Sequence, residues 1–185
     1  KHYFEKEQLP DMGFTPDASY GICHCEKGHM GFEVHAKNDS AVVKSFEAGT
    51  VSNAVPFKAE CALACSPEEV EKLQAKAAKS KGMFEVSPTQ EGCTVLCHGK
   101  AAHAASPEDG VNAAAHLVEL LCKVFKKDQL GSFFRFIHEK IGLCADGEKI
   151  GVKMSDEPSG PLTFNLGLVH VDGDACSLTV DIRYP

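Results

Sequence analysis

Along most of the chain, apolar and polar positions alternate in short runs separated by Gly, Pro and Asp, the pattern of half-buried strands. Residues 1–7 read as the end of a helix, and 9–18 as a loop punctuated by Pro10, Gly13 and Pro16. Strands are predicted at 20–25 and 30–36 around Glu26-Lys27-Gly28, at 41–47 and at 57–64. Two strand pairs follow, 83–86 with 93–99 and 161–169 with 176–182, the second closing as a hairpin across Asp172-Gly173-Asp174. Between them the period changes to that of helices. Ser66-Pro67-Glu68-Glu69 is a helix start: Ser66 caps, Pro67 suits the first turn, Glu69 completes a capping box, and Gly82 closes the helix after about residue 80. Ser106-Pro107-Glu108-Asp109 is predicted to open a second helix over 106–128, with Val111, Ala114, Val118, Leu121 and Phe125 on its apolar face. A third covers 130–141. The order predicts an α+β fold, helices laid on one face of an antiparallel sheet. The two Ser-Pro-acidic starts hint at two related units in one chain.

Composition narrows the function classes. The 185 residues suit one medium domain or two small ones sharing a core, and 43% hydrophobic with 24% charged residues is ordinary for a globular protein. The net charge of −7, with basic residues dispersed, argues against nucleic acid as a partner. No apolar run approaches the roughly 20 residues that span a bilayer, so no membrane partner is expected. The opening residues lack the apolar segment of a signal peptide. The chain begins without Met and stops at Pro185 inside a strand-like tail, which reads as a piece of a longer protein.

The nine cysteines, at 23, 25, 61, 65, 93, 97, 122, 144 and 176, are odd in number and lie in apolar stretches. They read as reduced thiols of a cytoplasmic protein. A structural zinc site is disfavoured. Zinc knuckles carry their Cys-x2–4-Cys pairs on turns, whereas Cys61 and Cys65 straddle the end of a strand and Cys93 and Cys97 lie along one, about 13 Å apart on one face and too far for one ion.

Four stretches then stand out together: Pro10-Asp11-Met12-Gly13-Phe14-Thr15-Pro16-Asp17-Ala18, Asn53-Ala54-Val55-Pro56 after Phe46-Glu47-Ala48-Gly49, Gly99-Lys100-Ala101-Ala102-His103-Ala104-Ala105-Ser106-Pro107, and Asp181-Ile182-Arg183-Tyr184-Pro185. In this order the set resembles the aminoacylase, carnosinase and glutamate-carboxypeptidase-like family of zinc peptidases, on its bacterial dipeptidase V (Xaa-His dipeptidase) branch. The resemblance spans nearly the whole chain. It implies a lid domain, often ferredoxin-like, inserted into a catalytic domain that holds two zinc ions. Residues 1–19 would be a stub of that catalytic domain, 20–177 the lid, and 178–185 a strand returning. The resemblance puts the catalytic domain's His-x-Asp motif and Glu-Glu pair upstream of residue 1, so the general base and most metal ligands would lie outside this chain.

The resemblance also implies roles. Asp17 would be a zinc ligand, His103 a hydrogen-bond donor to the oxyanion, and Asn53 and Arg183 the grip on the C-terminal carboxylate of an unblocked dipeptide. The chemistry suits the residue types: a carboxylate binds zinc, an imidazole N–H donates to an oxyanion, and a guanidinium fork fits two carboxylate oxygens. Bland readings stand beside these. Asp17 suits an Asx turn, His103 could order a loop, Asn53 could be a turn residue, and Arg183 could be a strand arginine in a salt bridge. Gly49 and Gly99 suit tight turns. The isolated chain is expected to be inactive and the parent enzyme monomeric, the larger lid doing the work of a second subunit. A stand-alone α+β binding domain is the alternative.

Overall fold

The computed structural model describes residues 5–8, 11–13, 21 and 25–185. Most of the strand expected at 20–25 and most of the helix end expected at 1–7 lie outside the described residues. The sheet has seven strands: β1 (Gly28–Lys37), β2 (Val43–Ala48), β3 (Lys58–Ala64), β4 (Phe84–Pro88), β5 (Gly92–His98), β8 (Thr163–Asp172) and β9 (Ala175–Tyr184). Their spatial order is β1-β9-β8-β2-β3-β5-β4, and every neighbouring pair is antiparallel. A two-stranded ribbon, β6 (Ser155–Asp156) with β7 (Gly160–Pro161), was not anticipated.

Three helices, α1 (Pro67–Ala77), α2 (Ala113–Cys122) and α3 (Lys127–Phe136), cover one face of this sheet. The inward positions alternate as the sequence pattern requires: Phe46 on β2, Cys61 and Leu63 on β3, Val95 and Cys97 on β5, Leu178 and Val180 on β9, all buried in one core with Leu73, Leu117, Leu121 and Phe134 from the helices. Phe46 meets Phe134 of α3 with ring centroids 5.6 Å apart. The chain is thus an α+β domain of the expected class. β3 and β4 flank β5 on either side and are joined through α1, a split β-α-β unit of the ferredoxin-like kind. β2 lies between β3 and β8 and joins this unit to the β8–β9–β1 end.

The start of α1 is as predicted. Ser66 Oγ accepts from the Glu69 backbone N–H, and the Glu69 carboxylate accepts from the Ser66 N–H at 2.9 Å. The second start is corrected. Ser106 makes no side-chain cap, and Pro107–Asp109 is a single 3-10 turn. Lys100 and Val111 exchange two backbone hydrogen bonds, which pull the chain out of helix, and α2 begins only after Asn112, whose Oδ1 accepts from Ala115 N–H at 3.1 Å. It ends at Cys122, short of the expected residue 128. The second start therefore does not repeat the first, and all seven strands form one continuous sheet. The third helix is broken at Gly131 (φ 77, ψ −178) and continues as a π turn over Ile137–Ile141.

Candidate functional site

The outward face of the sheet is largely open, but at one end it is roofed. Along β8 the residues from Thr163 to Gly167 are all buried, and on β9 so are Val180, Asp181 and Ile182, although alternation would leave every second one exposed. The roof is two loops, residues 49–57 and 99–111, paired with each other. Val55 N–H donates to Ala102 O (2.9 Å), Ala104 N–H to Asn53 O (3.0 Å) and Gly99 N–H to Phe57 O (2.7 Å), and Ala54 and His103 form an antiparallel bridge. The first loop passes so close over β8 that a Cβ on Gly167 would lie 2.2 Å from Ser52 O, and one on Gly49 (φ 81) 1.9 Å from Gly167 O. Glycine at both positions is what admits the loop.

This arrangement brings two of the expected residues side by side. Asn53 and His103 are exposed at the tips of the paired loops. The His103 ring is held by its own loop: Ala105 N–H donates to Nδ1 at 3.0 Å. A backbone N–H can only donate, so Nδ1 is an acceptor and the neutral ring carries its proton on Nε2. Among the described residues Nε2 has no partner, so an oriented N–H donor faces outward.

Arg183 lies on the same face, directly across the ladder from Thr163, whose hydroxyl donates to Ala104 O at 3.0 Å. The residue that follows His103 is therefore tied to the strand position beside Arg183. The guanidinium is gripped along one edge. Nε donates to Asp181 Oδ1 at 2.7 Å and Nη2 to Asp181 Oδ2 at 3.1 Å. His29 Nε2, from β1, shares Oδ2 at 2.9 Å. Asp181 is 1% exposed, so its charge is taken up by these partners. The outer edge of the fork, Nη1 with the second Nη2 hydrogen, is left over, and that edge fits two carboxylate oxygens. The salt-bridge reading of Arg183 and the carboxylate-gripping reading thus use different edges of one group.

Asn165, opposite Asp181, is the remaining buried polar residue of this face. Its Nδ2 donates to Ser52 O (3.0 Å) and Ala54 O (2.9 Å), the carbonyls on either side of Asn53. Its Oδ1 is buried without a partner among the described residues. The same side chain lines a cavity of about 330 Å³ behind the roof, with Val55, Val111, His116 and Leu143. Burial holds the His116 pKa below its usual range, so this ring is neutral at pH 7.

Asp17 lies outside the described residues. Among the described residues no group of three His, Cys, Asp or Glu could hold a metal ion. Thr163, Asn165, Asp181 and His29 were not picked out from the sequence. The signal available was an Asn and an Asp interrupting otherwise apolar or β-branched runs, Phe164-Asn165-Leu166 and Val180-Asp181-Ile182.

Residues 90–185, just over half of the chain, match the family model of the peptidase dimerisation domain. The chain belongs to that family. His103, Arg183 and the three buried polar residues of the dimerisation domain fall inside the matched stretch, whereas Asn53 precedes it. Along essentially its full length the chain is similar to bacterial proteins named "Putative dipeptidase". YtjP of Bacillus subtilis strain 168 is 32% identical over 100% of this chain, SSP1012 of Staphylococcus saprophyticus 29% over 100%, and SAB1611c of Staphylococcus aureus strain RF122 28% over 99%. The chain spans 42%, 42% and 41% of the length of these relatives. No helix among the described residues is long and apolar enough to cross a membrane.

Proposed function

We propose that this dimerisation domain is the lid of a bacterial, cytoplasmic dipeptidase that hydrolyses unblocked dipeptides, and that it supplies the substrate contacts while a catalytic domain supplies the reaction centre. The observation that carries the reading is the convergence at one end of the sheet. Three residues chosen from scattered motifs, Asn53, His103 and Arg183, come to the same roofed end, tied together by Ala104 N–H to Asn53 O and by Thr163 to Ala104 O. In this reading residues 1–19 and 178–185 lead to the catalytic domain. The resemblance implies a pair of zinc ions in that domain; the described residues here do not make up a metal site, so no step assigned to this chain depends on them.

The lid's part is binding and electrostatics. The outer edge of Arg183 and the Asn53 amide take the C-terminal carboxylate of the dipeptide, which selects substrates with a free C-terminus. His103 Nε2–H points at the carbonyl oxygen as it gains charge, and a donor realised in the transition state contributes about 2.7–4 kcal/mol. Closure of the lid on the catalytic domain excludes water and strengthens both contacts. In this reading the general base and the reaction centre lie in the catalytic domain, so the chain alone is inactive, and the parent acts as a monomer.

The test is steady-state kinetics of the full-length enzyme. His103→Ala is expected to lower kcat about a hundredfold, and Arg183→Ala to act chiefly on KM. Near-normal turnover in the His103 variant would remove the assigned role.

A further inference from the structure

Among the described residues the buried polar or charged side chains are Thr163, Asn165 and Asp181. They are neighbours on one face of two adjacent strands: Asn165 is directly opposite Asp181, and Thr163 is directly opposite Arg183. Each one's hydrogen bonds reach a different candidate contact. Thr163 holds the Ala104 carbonyl next to His103, Asn165 holds the two carbonyls flanking Asn53, and Asp181 holds the inner edge of Arg183.

Burying polar groups costs stability, and a half-buried strand needs none. Here that cost is concentrated under three points that a substrate must meet at once. Two of those points are on loops, which are otherwise mobile elements. A buried and bonded polar network specifies geometry more sharply than apolar packing does. We propose that Thr163, Asn165 and Asp181 form a positioning platform, a polar floor that sets the mutual placement of His103, Asn53 and Arg183 for a dipeptide. His29, sharing Asp181 Oδ2, pins the platform to the edge strand β1. None of the three touches substrate; each acts through the residue above it. The inference rests on the lid reading and assigns residues that the reading does not need.

Double-mutant cycles in the full-length enzyme, with alanyl-alanine as the substrate, separate the two claims. Thr163→Val is expected to lower kcat by about tenfold to a hundredfold, since misplacing a reacting group by about 1 Å can cost a hundredfold, and to change almost nothing on a His103→Ala background. Asp181→Asn is expected to raise KM about tenfold, and less than twofold on an Arg183→Ala background. Asn165→Leu follows the same rule with Asn53→Ala. Thr163→Ser, which keeps the hydroxyl, restores wild-type kinetics. If platform and contact variants multiply instead of masking one another, or if Thr163→Val is silent, the platform is refuted while the lid reading stands. If His103→Ala and Arg183→Ala are themselves silent, the lid reading falls and the platform with it. Should the charge change at Asp181 prevent folding, Thr163→Val, a methyl for a hydroxyl, decides alone.

Discussion

Replacing Asn165 by Leu in this chain isolates the worth of the clamp under the roof. The side chain is 1% exposed and spends both amide hydrogens on Ser52 O and Ala54 O, at 3.0 and 2.9 Å. Leu has the same branched heavy-atom skeleton, so no cavity is left, and its bulkier methyl groups have the adjoining cavity of about 330 Å³ to enter. Two hydrogen bonds are lost, each worth about 0.5–1.5 kcal/mol net, and the carbonyls they satisfied cost a further ~1–3 kcal/mol where water cannot reach them. Against this, the buried and unpartnered Oδ1 disappears, which returns about 1 kcal/mol. The balance is a loss of about 1–5 kcal/mol. With a urea m-value of about 2 kcal/mol/M, the midpoint should fall by roughly 0.5–2.5 M, followed by circular dichroism, with m unchanged. Asn165→Asp should be worse at pH 7. It puts an acceptor oxygen in place of the donating amide against two carbonyls, and it sets a second carboxylate directly opposite Asp181, where like charges repel. A midpoint shift for Asn165→Leu equivalent to less than about 0.5 kcal/mol would refute the reasoning, because the two bonds would then not hold the roof.

The capping box gives a second test. Ser66→Ala should cost about 1 kcal/mol by denaturant titration. Glu69 is held below the usual carboxylate range, foremost by the Ser66 backbone N–H and then by the Gln129 amide. A depressed folded pKa stabilises above the unfolded value of about 4.3 and the benefit is lost as pH falls through the folded value, so Glu69→Gln should flatten the loss of stability below about pH 4.5. The thiols supply a third. Burial raises Cys97 to about 12, and burial together with the neighbouring Cys65 raises Cys93 to about 12. Neither should react with a disulfide reagent at pH 8 until the chain is unfolded, and fast labelling in the native state would contradict their packing.

How much of this was legible in the sequence depended on how local the deciding interaction is. α1 was read correctly because Ser66 and Glu69 satisfy each other within one turn. The strands of the sheet were read from alternation that one covered face imposes. Ser106 carried the same signature and failed, because the pairing of Lys100 with Val111 delays the helix to Asn112. That pairing belongs to the roof, and nothing near residue 106 announces it. The platform was hidden for the same reason. Thr163, Asn165, Asp181 and Arg183 occupy the polar positions of alternating strands, where solvent is the ordinary expectation, and they are buried by loops from far away in the chain. His103, Asn53 and Arg183 were singled out by motif resemblance; their juxtaposition needed the fold.

The decisive measurement is a structure of the full-length protein closed on a phosphinate dipeptide mimic. The account predicts the ligand's carboxylate on the outer edge of Arg183 and the Asn53 amide, and a phosphinyl oxygen about 2.7–3.1 Å from His103 Nε2. A closed, ligand-filled molecule with these three groups directed at unrelated surfaces would contradict it, and would leave the α+β fold standing without its proposed role.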